Sequence, residues 1–223
     1  EGARVAICDV LEADGKQTEA EINEFGGDAV FIKLDVSCQD EWDAAVNSAI
    51  ELFGRLDILV NNAGMLERQM RLDNMDKARL ERVFAVNVFG SFLCAREAVK
   101  RMSTRHGGSG GAIVNVSSIA AKLGAPNEYI DYAAAKGAID SMTLGLAKEV
   151  AAESIRVNAV RPGVIYTEIH ASGGEPDRIE RVRSSVPMGR GGEALEVAEA
   201  ILWLVSDKAS YTSGALLDVS GGR

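Results

Sequence analysis

Few residues of this chain could serve in a disulfide scaffold, a metal centre or a nucleic acid interface. Its three cysteines, Cys8, Cys38 and Cys94, are scattered, odd in number and outside any C-x-x-C spacing, which argues against a disulfide framework and fits a reducing cytoplasm. The two histidines, His106 and His170, stand in polar surroundings without paired ligands, so no metal site is expected. Positive charge is scarce: 24 lysines and arginines face 33 aspartates and glutamates, and a net charge of −9 argues against a phosphate-backbone partner. The one basic cluster, Lys100, Arg101, Arg105 and His106, falls where a helix should end and reads as its solvated terminus. No run of about 20 apolar residues is present, so no membrane partner is expected. The sequon Asn115-Val116-Ser117 lies in an apolar run that reads as a buried strand, which argues against glycosylation.

What the chain has is alternation. Apolar, β-branched runs at 3–9, 29–36, 56–64, 112–116, 154–163 and 215–220 read as strands. Between them lie helical patterns at about 11–25, through Trp42, Val46, Ile50 and Phe53, at 76–102, from Tyr132 to about Glu153, and at 193–205. Strands separated by helices of this length imply β-α-β crossovers. The expected fold is therefore α/β, a Rossmann-like doubly wound parallel sheet with helices on both faces, and 47% hydrophobic residues suffice for one domain. In such sheets ligands lie beyond the carboxyl ends of the strands, where this chain puts Asp9, Asp35, Asn61 to Gly64, Ser118 and Pro162-Gly163.

Chemistry gathers around one strand end, in AIVNVSSIAAKLGAPNEYIDYAAAK at 112–136. Tyr132 and Lys136 are four apart on an Ala-rich helix and share a face. A free tyrosine titrates near pH 10, so making it exchange protons at neutral pH takes about 4 kcal/mol of help, which a neighbouring cation can supply. Ser118, closing the preceding strand, could offer a hydroxyl to the same substrate oxygen.

These residues, with NNAG at 61–64, Asn87 in VFAVNVFG, NVSS at 115–118, YAAAK at 132–136 and RPGVIYT at 161–167, resemble the short-chain dehydrogenase/reductase family over the whole chain. The resemblance implies an NAD(P)-dependent oxidoreductase, commonly a homotetramer, acting on a small alcohol, ketone or sugar. It implies Tyr132 as general acid/base, Ser118 as the group orienting the substrate oxygen, and Lys136 as the group that lowers the tyrosine pKa and binds the nicotinamide ribose. Asn87 would hold a water in a proton relay, or else simply kink its helix. Asn62, Ala63 and Gly64 would meet the cofactor ribose, Ile165 and Thr167 after Pro162-Gly163 the carboxamide, and Asp35 and Val36 the adenine. Asp9 would accept hydrogen bonds from the adenosine ribose and repel a 2′-phosphate, favouring NAD over NADP, unless it only caps the helix that follows.

The family's opening strand and glycine-rich turn have no counterpart in the chain, and GGSGG at 107–111 and GGEPD at 173–177 are no substitutes, since neither joins a buried strand to a helix. The expectation is that a strand, turn and helix precede Glu1. An alternative is an inactive remnant serving as an interaction module. The segment Ile165 to Arg190 reads as a substrate lid of mixed polarity, which leaves the substrate open.

Overall fold

The computed structural model describes residues 2–223, over which the expected alternation resolves into eight strands and nine α-helices. β1 (Arg4–Asp9) pairs in parallel with β2 (Asp28–Lys33) across the helix α1 (Glu12–Glu24). α2 (Gln39–Phe53) buries Trp42, Ala45 and Val46 and stops at Gly54, whose φ of 85° allows its N–H to close on the Ile50 carbonyl at 2.7 Å.

A second parallel sheet runs β3 (Ile58–Asn61), β4 (Gly111–Val116), β5 (Ile155–Pro162) and β8 (Leu216–Val219), in that order. β4 and β5 are covered on both faces, as continuous apolar runs in a parallel sheet demand. Ile113 and Val157 face Ala98 and Met102 of α4 (Ser91–Met102) and Ala147 and Val150 of α6 (Ile130–Val150), while Val114 and Val160 face Val197 and Leu204 of α9 (Ala194–Val205). The lid segment folds as β6 (Ile165–Tyr166), the short helices α7 (Ile169–Ser172) and α8 (Arg178–Val182), and β7 (Gly192–Glu193), which pairs with β6.

The helix expected over 76–102 is α3 (Lys77–Phe84), a π-helical turn over Ala85–Gly90, and then α4. Asn87 sits inside that turn and its Nδ2 donates to the Val83 carbonyl at 2.9 Å, competing with the regular ladder. The basic cluster does stand where α4 ends, with Lys100 and Arg101 in its last turn and Arg105 and His106 exposed beyond it; Lys100 and Arg101 also pair with Glu97, a carboxylate only 1% exposed that Arg96 joins. β1 and β3 do not pair, so the two sheets stay separate. Their bare edges line one cleft of about 710 Å³, floored by Trp42, Val46 and Cys94 and closed by Val205, and Val5, Ile58 and Val60 are each more than a third exposed beside it.

Candidate active site

Ser117 and Ser118 follow β4 directly, and the short helix α5 (Ala120–Leu123) returns the chain toward the start of α6. Three sets of contacts fix α6 against that strand end. The Ser117 hydroxyl donates to the Lys136 carbonyl at 3.1 Å, and Lys136 Nζ donates to the Val116 carbonyl at 2.7 Å. At the first turn Asp131 is clamped by Arg79 of α3, Nε to Oδ2 at 2.7 Å, with the carboxylate side chain 1% exposed and the guanidinium 3%. Asp131 Oδ1 also accepts from the Tyr132 N–H at 2.9 Å.

Tyr132 is thereby brought beside Ser118, whose hydroxyl is close enough to pull the phenol pKa down, and beside Lys136, whose Nζ lies 5.6 Å from the ring centre. Gly64 and Asn87 join them. A Cβ on Gly64 would stand 2.9 Å from Asn87 Oδ1 and 3.4 Å from Lys136 Nζ, so only glycine lets the loop after β3 come this close. Asn87 holds that loop: Oδ1 accepts from the Met65 N–H at 3.2 Å and Nδ2 donates to the Met65 carbonyl at 3.0 Å.

Burial pushes the Tyr132 phenol above its ordinary value, opposed first by the Ser118 hydrogen bond and then by the Arg178 charge. Burial acts on Lys136 itself, lowering its pKa to about 8 despite the Asp140 charge.

The residues expected at the cofactor follow the carboxyl ends of the strands. Asp9 accepts from the Leu11 N–H through Oδ1 at 2.9 Å, so the turn uses one carboxylate oxygen. The Asp35 Oδ1 is engaged by the Ser37 N–H and hydroxyl at 2.8 and 2.7 Å, while Val36 packs where a Cβ on Gly90 would be, 2.8 Å from Val36 Cγ2. Asn62 and Ala63 are exposed at the end of β3, beside Gly64. Pro162 accepts from the Ile119 N–H, and Gly163 lies against Ser220, 2.8 Å from Cα to any added Cβ. Ile165 is buried in β6, and Thr167 follows it at the rim.

Two sets of supporting residues were not read from the sequence. Asn61 and Asn115, opposite each other in the β3–β4 ladder, join Nδ2 to Oδ1 at 2.8 Å, and Asn115 Nδ2 donates to Thr143 of α6 at 2.9 Å. This chain of bonds fixes helix to strand and leaves Asn115 with no exposure at all, as expected of the sequon. The other is the Arg79–Asp131 pair. His170 is also corrected: rather than standing in polar surroundings it is buried, with both ring nitrogens lacking a hydrogen-bond partner.

Comparison with known proteins finds matches along the whole chain. The family profile described as enoyl-(acyl carrier protein) reductase matches residues 1–223. The uncharacterized oxidoreductase YgfF of Escherichia coli (strain K12) is 56% identical over 202 residues, 91% of this chain and 82% of that protein. Cyclopentanol dehydrogenase of Comamonas sp. (strain NCIMB 9872) is 40% identical over the full chain and 87% of its own length. The crystal structure of 3-ketoacyl-(acyl-carrier-protein) reductase from Brucella melitensis, complexed with NADH, superposes with a TM-score of 0.91 at 35% identity, covering 99% of this chain and 88% of that one.

Proposed function

This chain belongs to the short-chain dehydrogenase/reductase family, oxidoreductase enzymes that use a nicotinamide cofactor, and from that premise we propose that it interconverts a small alcohol and its ketone with NAD(H). The observation that carries the reading is the meeting of Ser118, Tyr132, Lys136, Asn87 and Gly64 at one strand end. When bound, the nicotinamide supplies or accepts the hydride. Tyr132 gives the proton to the substrate oxygen in reduction and takes it in oxidation, and Ser118 holds that oxygen in line with the phenol. Lys136 Nζ donates to the nicotinamide ribose and returns protons toward solvent. Asn87 has one lone pair left on Oδ1 for a water of that relay, beside Lys136. Asn62, Ala63 and Gly64 line the ribose, Ile165 and Thr167 the carboxamide, and Val36, next to Asp35, the adenine. Three unpaired cysteines support a cytoplasmic setting.

Asp9 keeps its second carboxylate oxygen for the ribose hydroxyls, which favours NAD. On the same reading the slot between β1 and β3 seats one more parallel strand, contributed from outside residues 1–223, and the turn after that strand meets the pyrophosphate. One set of calorimetric titrations checks both. NADH should bind more tightly than NADPH, Asp9→Ala should shrink that gap about ten- to a hundredfold, and residues 1–223 alone should bind either cofactor weakly. Tighter binding of NADPH overturns the carboxylate reading, and tight NADH binding by residues 1–223 overturns the strand.

A homotetramer completes the proposal. Phe89 and Phe92, beside and on α4, and Leu144 on α6 are 58%, 50% and 41% exposed. A Cβ on Gly137 or Gly145 of α6 would meet nothing within 4 Å, which leaves room for a partner helix. Light scattering of the protein with the slot filled, at micromolar concentration, should return about four times the mass of one chain; a monomer would contradict this.

A further inference from the structure

Lys136 is a buried cation, 4% exposed, and the groups that meet it from neighbouring elements are neutral. β4 gives the Val116 carbonyl to Nζ, and Ser117 just after it gives a hydroxyl to the Lys136 main chain. The loop after β3 approaches with Gly64, and the π turn with Asn87. Charge reaches Lys136 along its own helix. Asp131, on the first turn of α6, is bound to Arg79 of α3, and burial keeps the proton on Tyr132 at neutral pH. Asp140 stands four residues after Lys136, one turn further along the same face, and is 8% exposed.

Asp140 is braced from the sheet. Arg161, at the end of β5, grips one carboxylate oxygen with two donors, Nε and Nη2 reaching Oδ2 at 2.9 and 2.8 Å. Its Nη1 turns to Asp218, its partner in the β5–β8 register, at 3.4 Å, and Asp218 in turn binds Lys122 of α5. The Asp140 and Arg161 side chains are only 12% and 11% exposed, so water screens this pair far less than a surface pair. Asp140 Oδ1 is buried and accepts no hydrogen bond among the described residues.

A tie so placed does two things. It fixes α6 against the end of β5, immediately before Pro162-Gly163, and it holds a carboxylate one turn from a buried ammonium. At that separation, away from water, opposite charges stabilise each other. The Asp140 charge opposes the burial that brings the Lys136 pKa down to about 8.

We propose that Asp140, braced by Arg161, is a positioning residue of the reaction, supplying the counter-charge that keeps Lys136 an ammonium beside Tyr132 at neutral pH. The proposal rests on the dehydrogenase reading and adds a residue on which that reading's lysine depends. Carbon-13 NMR of the protein with the slot filled and its lysines labelled at Cε tests it, the Lys136 signal being the one absent from Lys136→Arg. Wild-type Lys136 should titrate at about pH 8. In Asp140→Asn the midpoint should lie about one pH unit lower, and in Asp140→Glu, which keeps the charge, close to wild type. A carboxylate that only braced the helix would cost stability in Asp140→Asn without moving the midpoint. Should that variant not fold, Asp140→Asn combined with Arg161→Gln strands no ion, and the midpoint should still fall. Because Lys136 binds the nicotinamide ribose, NADH affinity measured by calorimetry should begin to drop at correspondingly lower pH in Asp140→Asn. An unmoved Lys136 midpoint overturns the role of Asp140 and leaves the dehydrogenase reading standing. No NADH binding at any pH overturns the dehydrogenase reading and the role with it.

Discussion

Replacing Tyr132 by phenylalanine is expected to lower turnover by about 10⁴-fold, the upper range of general acid/base catalysis, with NADH affinity left within a few-fold of wild type. The substitution removes one hydroxyl and keeps the ring that stands 5.6 Å from Lys136 Nζ. The direction of the phenol's pKa also fixes a pH profile. Burial keeps the proton on Tyr132 at neutral pH, against the Ser118 hydrogen bond and the Arg178 charge. Reduction uses that proton and needs no prior ionisation. Oxidation needs the phenolate, whose population rises tenfold per pH unit below the pKa, so oxidation should accelerate steadily from pH 6 to 9 while reduction does not. Lys136, with a pKa of about 8, loses its charge over the upper part of this range. Comparable turnover in wild type and Tyr132→Phe, or a flat oxidation profile, would remove Tyr132 from its role.

Asp131→Ala should cost about 3–5 kcal/mol of stability, because it strands a buried guanidinium. Arg79 would keep its bond from Nη1 to the Arg68 carbonyl at 2.7 Å, but the nearest remaining carboxylate oxygen, on Glu67, is 3.9 Å away. The helix would also lose a first-turn anion, which favours its amino end. The double replacement Arg79→Met with Asp131→Leu should lie closer to wild type than either single loss of charge, since it leaves no ion unpaired. Urea unfolding of the four proteins measures this. A loss below about 1 kcal/mol for Asp131→Ala would mean that water reaches the pair.

The local signals and the tertiary ones differ in how far the sequence discloses them. The strand ends were legible because β-branched runs stop at small or turn-forming residues, and the Tyr132 to Lys136 spacing is a property of any helix. The π turn was not, since one extra residue inside 76–102 barely disturbs an apolar stripe of period 3.6. The Arg79–Asp131 and Asn61–Asn115 contacts join residues 52 and 54 apart, and nothing local pairs them. His170 misled because its chain neighbours Ser172, Glu175 and Asp177 are polar, whereas the fold leaves the ring itself only 9% exposed.

The open slot bears on how the chain behaves in a crowded solution. A strand edge is ordinarily protected by a lysine, a proline or a bulge. β1 reads RVAICD and β3 reads ILVN, with no lysine or proline in either, and both edges stand bare on the same cleft. Whatever extended segment arrives first can hydrogen-bond there, including the β1 or β3 of another copy. Residues 1–223 should therefore be prone to concentration-dependent aggregation through edge pairing, which a strand seated in the slot would block.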